Sequence, residues 1–121
     1  MKKIENYIIT WFYAENKDDE SYYPSVGKNT SSFEFQKVYW RCVYDFYASA
    51  ILTQKHPVKY LFFTNLSKLP ANVDGVDMGD FFRKNKIEVV RRKLTYTTPA
   101  DWFFQFRNQF YVYDIIDYLK N

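Results

Sequence analysis

Three runs of apolar residues, each bounded by polar or turn-forming residues, stand out along this chain at positions 7–14, 59–65 and 87–94. The first two runs are rich in β-branched and aromatic side chains, and they do not alternate apolar with polar positions. Such a pattern predicts strands that are buried on both faces, as they are in a parallel sheet. The third run turns polar toward its end.

A helical pattern follows the first run and begins with a capping box formed by Ser31 and Glu34. The predicted helix continues to about Lys55, because the residue before Pro57 disfavours helical geometry. Cys42 falls within the apolar side of this helix, so a buried structural thiol is favoured over a nucleophile. The predicted apolar side comprises Phe35, Val38, Tyr39, Cys42, Val43, Phe46, Tyr47 and Ala50.

Two more helices are predicted after the second and third runs. Asp77 is expected to cap a short helix that carries Phe81 and Phe82 inward. The last helix begins with Thr98 as cap and Pro99 at the first helical position. It is apolar on most sides, so it should be covered on most sides. Its two apolar stripes are Trp102, Phe106, Phe110 and Tyr113, and Val112, Ile115, Ile116 and Leu119.

Strands therefore alternate with helices along the whole chain, in the order β-α-β-α-β-α. Parallel strands need crossover connections, and alternating helices provide them. The pattern predicts a single α/β domain, residues 1–121, with a Rossmann-like three-layer α/β/α arrangement around a small parallel sheet. The polar segment 15–30 predicts a long loop, which is either functional or a surface excursion.

Composition narrows the class of protein. With 47% hydrophobic and 26% charged residues among 121, the chain is expected to be globular rather than disordered. Its single cysteine excludes an internal disulfide and favours a reducing, cytoplasmic location. No apolar run approaches the length of a membrane span, and Glu5 interrupts a short N-terminal pattern that resembles a signal peptide. The aromatic content of 22% favours core packing over a stacking surface for nucleotides or sugars.

The charged residues indicate no particular partner. A net charge of +3 is too small to imply nucleic acid, and the basic stretch around Arg83 and Arg91 is better explained as a solvated face. Turn and capping roles account for the acidic clusters at 18–20 and 74–80. His56 has no catalytic partner nearby in sequence. Dinucleotide-binding glycine motifs and the phosphate-loop lysine motif are absent.

Candidate ligand-binding residues follow from the position of the strands. Open parallel sheets bind ligands beyond the carboxyl ends of their strands, and the start of the last helix at the same edge favours an anion. Position alone identifies no ligand. The residues selected are Thr10, Trp11, Phe12 and Tyr13 after the first strand, Thr64 and Asn65 after the second, and Tyr96 with its neighbours after the third.

The last helix adds two polar candidates. Asn108 shares a stripe with apolar residues, so its amide either bonds the backbone of a strand end or lines a ligand site. Arg107 lies on the side of Tyr111 and Asp114. It either pairs with Asp114, which is slightly favoured, or presents its guanidinium to a phosphate.

Several segments together resemble the N-terminal, nucleotide-binding part of GT-A-type glycosyltransferases, which use nucleotide-diphospho-sugars. They are residues 8–13 (IITWFY), 60–65 (YLFFTN), 87–90 (IEVV) and 107–114 (RNQFYVYD), together with Trp102. The resemblance implies that the end of the first strand and the following loop hold the base and ribose. That role would fall on residues 10–13, with Asn65 at the neighbouring strand end. It also implies the strand order three-two-one, with a fourth strand beside the first.

The chain departs from this family at the metal site. Such enzymes carry an Asp-x-Asp metal motif at the end of the next strand, and this sequence contains none. Mn²⁺ or Mg²⁺ would therefore depend on a half of the fold that these residues do not include. We expect a nucleotide-sugar-binding domain that is not catalytic alone and holds no cofactor. The alternative is a stand-alone, non-enzymatic α/β module that binds a nucleotide-like ligand or a protein.

The missing fourth strand has a further consequence. It would leave the first strand, residues 7–14, with an open apolar edge, and such edges invite pairing. We expect this edge to be covered by a second copy of the chain or another partner, by the N-terminal residues, or by the long loop.

Overall fold

The computed structural model describes residues 6–14, 22–23, 28–29, 32–95 and 104–120. The elements, in chain order, are β1 (Tyr7–Phe12), β2 (Tyr22–Tyr23), β3 (Lys28–Asn29), α1 (Phe33–Thr53), β4 (Lys59–Thr64), α2 (Met78–Lys84), β5 (Ile87–Arg91) and α3 (Phe104–Lys120). Long strands and helices alternate as predicted. The short antiparallel pair β2–β3 lies in a segment for which the sequence predicted only a loop.

The three long strands form a parallel sheet in the order β1-β4-β5. Ile9 lies opposite Leu61, which in turn lies opposite Glu88. The second strand of the sequence is therefore central, as the family resemblance implied. Its residues from Leu61 to Thr64 are all buried, whereas Tyr7 of β1 is 40% exposed. The prediction of burial on both faces thus holds for the central strand and is wrong at the start of the edge strand β1.

Helices cover both faces of this sheet and complete the predicted three layers. On one face, Phe62 of β4 stacks on Phe82 of α2, with ring centroids 4.8 Å apart, and lies 5.6 Å from Trp40 of α1. On the other face, Phe63 meets the ring of Tyr118 of α3 edge-on at 5.3 Å. Successive strand residues point to opposite faces, so these two neighbouring phenylalanines fill different layers.

The short helix α2 forms as the sequence predicted. Asp77 caps it by accepting a hydrogen bond from the Asp80 amide at 3.1 Å, and Phe81 and Phe82 are buried beneath it. The preceding turn places Asp74 at φ 53° and Gly75 at φ 88°. Two consecutive positive φ angles favour an Asp-Gly pair, because these residues tolerate the left-handed region best.

The buried side of α1 agrees with the predicted one at Phe35, Val43 and Tyr47 but is shifted toward Trp40. Ser32, one residue after the predicted cap, accepts a hydrogen bond from the Phe35 amide. Cys42 is exposed, so the prediction of a buried thiol is wrong. The buried residues are Phe35, Trp40, Val43 and Tyr47, whereas Val38 and Phe46 are exposed. Trp40, Val43 and Tyr47 recur at helical spacing, and burial of the large Trp40 and Tyr47 rings turns Cys42 away from the core.

The predicted stripes of α3 are wrong for half of the residues whose side chains are described. Tyr113, Ile116 and Leu119 are 47%, 41% and 44% exposed, and only Ile115 is fully buried. The side that packs on the sheet is instead formed by Tyr111, Asp114, Ile115 and Tyr118. This side can be buried because its carboxylate finds hydrogen-bond donors beyond the end of β5. The predicted start at residues 98–99, with Trp102, lies outside the described residues.

Candidate functional site

The carboxyl end of β1 is fixed by a side chain from the end of β4. Asn65 accepts a hydrogen bond from the Ala14 amide and donates one to the Ala14 carbonyl, both at 2.8 Å. Ala14 is 4% exposed, so its backbone groups need these partners. The predicted site residue Asn65 therefore shapes the edge by holding the chain as it leaves β1.

Tyr13 and Tyr111 bring β1 and α3 together at this edge. Their ring centroids lie 5.9 Å apart at an angle of 31°. The Tyr111 hydroxyl donates to the carbonyl oxygen of Arg92, just beyond β5, at 2.8 Å. Burial, followed by the nearby negative charge of Asp114, raises the pKa of Tyr111, so the phenol stays protonated and remains a donor.

A buried carboxylate completes the same edge. Asp114 is 4% exposed, and its two oxygens accept hydrogen bonds from the amide of Thr95, at 3.0 Å, and from the Thr95 hydroxyl. The sequence placed Asp114 on one side of the helix with Tyr111 and Tyr118 but gave it no site role. From the sequence, Asp114 was instead expected to pair with Arg107, an expectation that was slightly favoured. In the structure the Asp114 oxygens meet Thr95, while the Arg107 side chain lies outside the described part.

The other predicted residues of β1 do not share one surface. Phe12 is buried against Trp40 on the α1 face, with ring centroids 5.1 Å apart. The Thr10 amide donates to the hydroxyl of Tyr47 at 3.3 Å. Trp11 lies between Thr10 and Phe12 in sequence and is partly buried against the core. Because strand residues alternate between faces, only Tyr13 and Trp11 point toward the layer of α3.

The remaining candidates lie at or beyond the limits of the described residues. Arg107 and Asn108 belong to α3, one turn before Tyr111 at the sheet edge. By helix geometry the first residues of α3 extend about 10 Å past that contact, so α3 begins beyond the strand ends. Tyr96 lies outside the described residues, as do the side chains of both α3 candidates.

The basic residues near the sheet are engaged in local contacts. The Arg91 side chain donates to the Leu66 carbonyl oxygen at 3.1 Å, and the Arg92 guanidinium lies 5.6 Å from the centroid of the Tyr118 ring. Both arginines are exposed and make these contacts within the chain. His56 is exposed, three residues after the end of α1.

Two grooves lie away from the strand ends. One, of about 610 Å³, runs between α1 and α2 and is lined by Tyr44, Ile51 and Phe81 among others. The other, of about 510 Å³, lies under the end of α3 near Tyr7 and Lys59, where the strands begin. Their positions distinguish them from the edge formed by Asn65 and Tyr111.

Neither a metal-ligand cluster nor a membrane-spanning helix is found among the described residues. Among them, no three His, Cys, Asp or Glu side chains lie close enough to hold a metal ion. No helix in the described part of the chain is both long enough and apolar enough to cross a membrane. Comparison of the chain with family models, curated proteins and solved structures found no match.

Proposed function

We propose that the carboxyl edge of the sheet binds the nucleoside diphosphate part of a nucleotide sugar, in the manner of the N-terminal half of a GT-A-type glycosyltransferase. The observation that carries the proposal is the parallel sheet β1-β4-β5, whose strand ends meet beside Tyr111, with the start of α3 about two turns beyond them. Ligands of open parallel sheets bind at this place, because backbone groups and a helix N-terminus converge there.

The groups at the edge suit the parts of such a ligand. Tyr13 and Tyr111 are buried, at 9% and 0% exposed, so their rings form a fixed floor beneath the edge rather than an open stacking surface. The first amides of α3 favour the diphosphate, and Arg107 is the cation we expect to pair with it. Asn65 and Asp114 act indirectly, because their hydrogen bonds already hold Ala14 and Thr95 in place.

We further propose that the chain transfers no sugar by itself. The described residues do not fit a divalent metal, and the one buried carboxylate at the edge, Asp114, is already hydrogen-bonded to Thr95. The alternative is a stand-alone binding module with no catalytic half. For both candidate functions we propose a cytoplasmic location, because the exposed Cys42 thiol would stay reduced there.

Calorimetric titration with uridine, guanosine and adenosine diphosphates and their sugar conjugates tests the proposal. Saturable binding of at least one series is expected, and binding of none at millimolar concentration would contradict it. Affinity that rises with Mn²⁺ would favour the glycosyltransferase half, whereas equal affinity with a chelator would favour the stand-alone module. Arg107→Gln should weaken diphosphate binding by about tenfold. The matched control Lys84→Gln, at the opposite end of the sheet, should not.

A further inference from the structure

The edge strand β5 presents unpaired backbone groups on the side away from β4. The Arg92 amide donates to the Thr64 carbonyl oxygen at 3.0 Å, so the backbone groups of Arg92 face β4. Because alternate residues of a strand turn their backbone groups to the same side, the outward groups belong to Ile87, Val89 and Arg91. No other residue in the described part of the chain pairs with these three amides and carbonyls.

The chain that follows β5 turns toward α3. Thr95 donates hydrogen bonds from its amide and its hydroxyl to Asp114, and the Tyr111 hydroxyl donates to the Arg92 carbonyl oxygen. These contacts hold residues 92–95 on the layer of α3, away from the outward side of β5. At the other edge of the sheet, the cover expected for β1 falls on residues 1–5 and 15–21, which lie outside the described residues.

Positive charge is concentrated along and beside β5. Residues 84–93 contain five basic side chains and a single carboxylate, Glu88. Outside this stretch, acidic and basic residues are nearly equal in number, so the net charge of +3 lies here. All five basic side chains are exposed, and none forms an ion pair with a described carboxylate. They are Lys84, Lys86, Arg91, Arg92 and Lys93.

We propose that the edge of β5 binds an extended, acidic segment of another protein, which adds to the sheet as a further strand. The backbone of this segment pairs with the outward groups of Ile87, Val89 and Arg91, and its carboxylates meet the basic side chains beside them. β5 has five residues and spans about 16 Å, which accommodates a strand of similar length. The proposal is independent of nucleotide binding.

The chemistry of this edge favours an acidic strand over other occupants. A second copy would bring the basic residues of one β5 against those of the other, and like charges oppose such pairing. The phosphates of a nucleic acid would accept from the amides but offer the carbonyl oxygens no donor. Residues 84–95 also contain no aromatic ring on which bases could stack. An acidic strand satisfies both kinds of backbone group and the charge of the side chains.

Fluorescence anisotropy with a labelled ten-residue peptide of alternating valine and glutamate tests the proposal. Saturable binding with a Kd below about 1 mM is expected at low salt, and the same peptide with lysine in place of glutamate should not bind. Lys93→Glu should weaken binding of the glutamate peptide by about tenfold, because an attraction becomes a repulsion. Lys55→Glu is the matched control, since Lys55 follows α1, which packs on β1, and it should leave the Kd unchanged.

Proline at position 89 separates strand addition from attraction between charges alone. The Val89 amide points away from β4, so Val89→Pro removes no hydrogen bond of the sheet but denies one to an added strand. This variant should lose peptide binding while circular dichroism shows that it is folded. Val89→Thr keeps the amide and a β-branched side chain, and it should bind as the wild type does.

Amide hydrogen exchange of the wild-type chain locates the added strand. The amides of Ile87, Val89 and Arg91 should become protected when the glutamate peptide binds, whereas that of Val90, which faces β4, should not change. Absence of binding, or full binding by folded Val89→Pro, would overturn the proposal. Protection of the outward amides in the free chain would also overturn it, because the chain's own residues would then cover the edge. Binding of oligothymidylate or phosphatidylserine vesicles in place of the peptide would instead assign the basic stretch to nucleic acid or to membranes.

Discussion

The amide of Asn65 holds both backbone groups of Ala14, each at 2.8 Å, across the ends of two neighbouring parallel strands. One side chain thereby replaces the next step of the β1–β4 ladder, which ends at the pair Phe12 and Thr64. The chain leaving β1 is therefore fixed in position at the sheet edge where we propose that a nucleotide binds.

Replacement of Asn65 by leucine should destabilise the fold. The change keeps the approximate shape but leaves the buried Ala14 amide and carbonyl without partners, at a cost of about 2–4 kcal/mol for two groups. Urea unfolding measures the loss. Asn85→Leu is the control, because Asn85 bonds the Phe81 carbonyl oxygen from an exposed position and should cost less. Equal costs would contradict the role assigned to Asn65.

The Asp114–Thr95 pair should show strong thermodynamic coupling. Asp114→Asn removes one acceptor and Thr95→Val removes the hydroxyl donor, while both changes preserve side-chain size. A double-mutant cycle by urea unfolding should give a coupling energy of at least about 1 kcal/mol, because the carboxylate is buried. A coupling near zero would indicate that the two residues are stabilised by other contacts.

Removal of the Tyr47 hydroxyl should loosen β1 from β4. This hydroxyl accepts from the Thr10 amide and donates to the Leu61 carbonyl oxygen, and burial raises the pKa of the phenol so that the donor persists. Tyr47→Phe should cost about 1–3 kcal/mol and speed hydrogen exchange at Thr10. Tyr44→Phe, on an exposed ring of the same helix, should change stability by less than about 0.5 kcal/mol.

Acid should release the turn before α2 from α1. Hydrogen bonds from Arg41 and then Lys37 hold the pKa of Asp74 well below its usual value. A carboxyl whose pKa is lower when folded stabilises the fold above its unfolded pKa, and this contribution is lost as pH falls through the folded pKa. The stability difference between wild type and Asp74→Asn should therefore shrink below about pH 4. Asparagine suits the positive φ at this position. Asp45→Asn serves as the control, and a pH-independent difference would contradict the ion pair.

The fold could be predicted because its signals are local. Unbroken apolar runs specify buried parallel strands, and side chains such as Asp77 mark a helix start whatever surrounds them. The order of the three strands followed from the resemblance and agrees with the structure. These features depend little on which residues meet in space.

The buried sides of the helices could not be predicted in the same way. α1 and α3 carry apolar residues on several sides, so periodicity alone does not select one of them. In α3 the choice depends on Thr95, which supplies donors to Asp114 from 19 residues away in sequence. In α1 the bulk of Trp40 decides, and Cys42 is exposed as a result. The buried side of each helix can be predicted only when the residues that it contacts in the folded chain are known.

Chemical-shift mapping of a nucleoside diphosphate on the ¹⁵N-labelled chain tests the proposed function most directly. We predict saturable shifts at Tyr13, Asn65, residues 92–95 and the first turns of α3, with none in the groove beside Tyr44 and Phe81. Arg107→Gln should reduce the affinity derived from the same peaks. Shifts confined to the α1–α2 groove, or no saturable shift at millimolar ligand, would contradict the assignment of a nucleotide site to the carboxyl edge of this sheet.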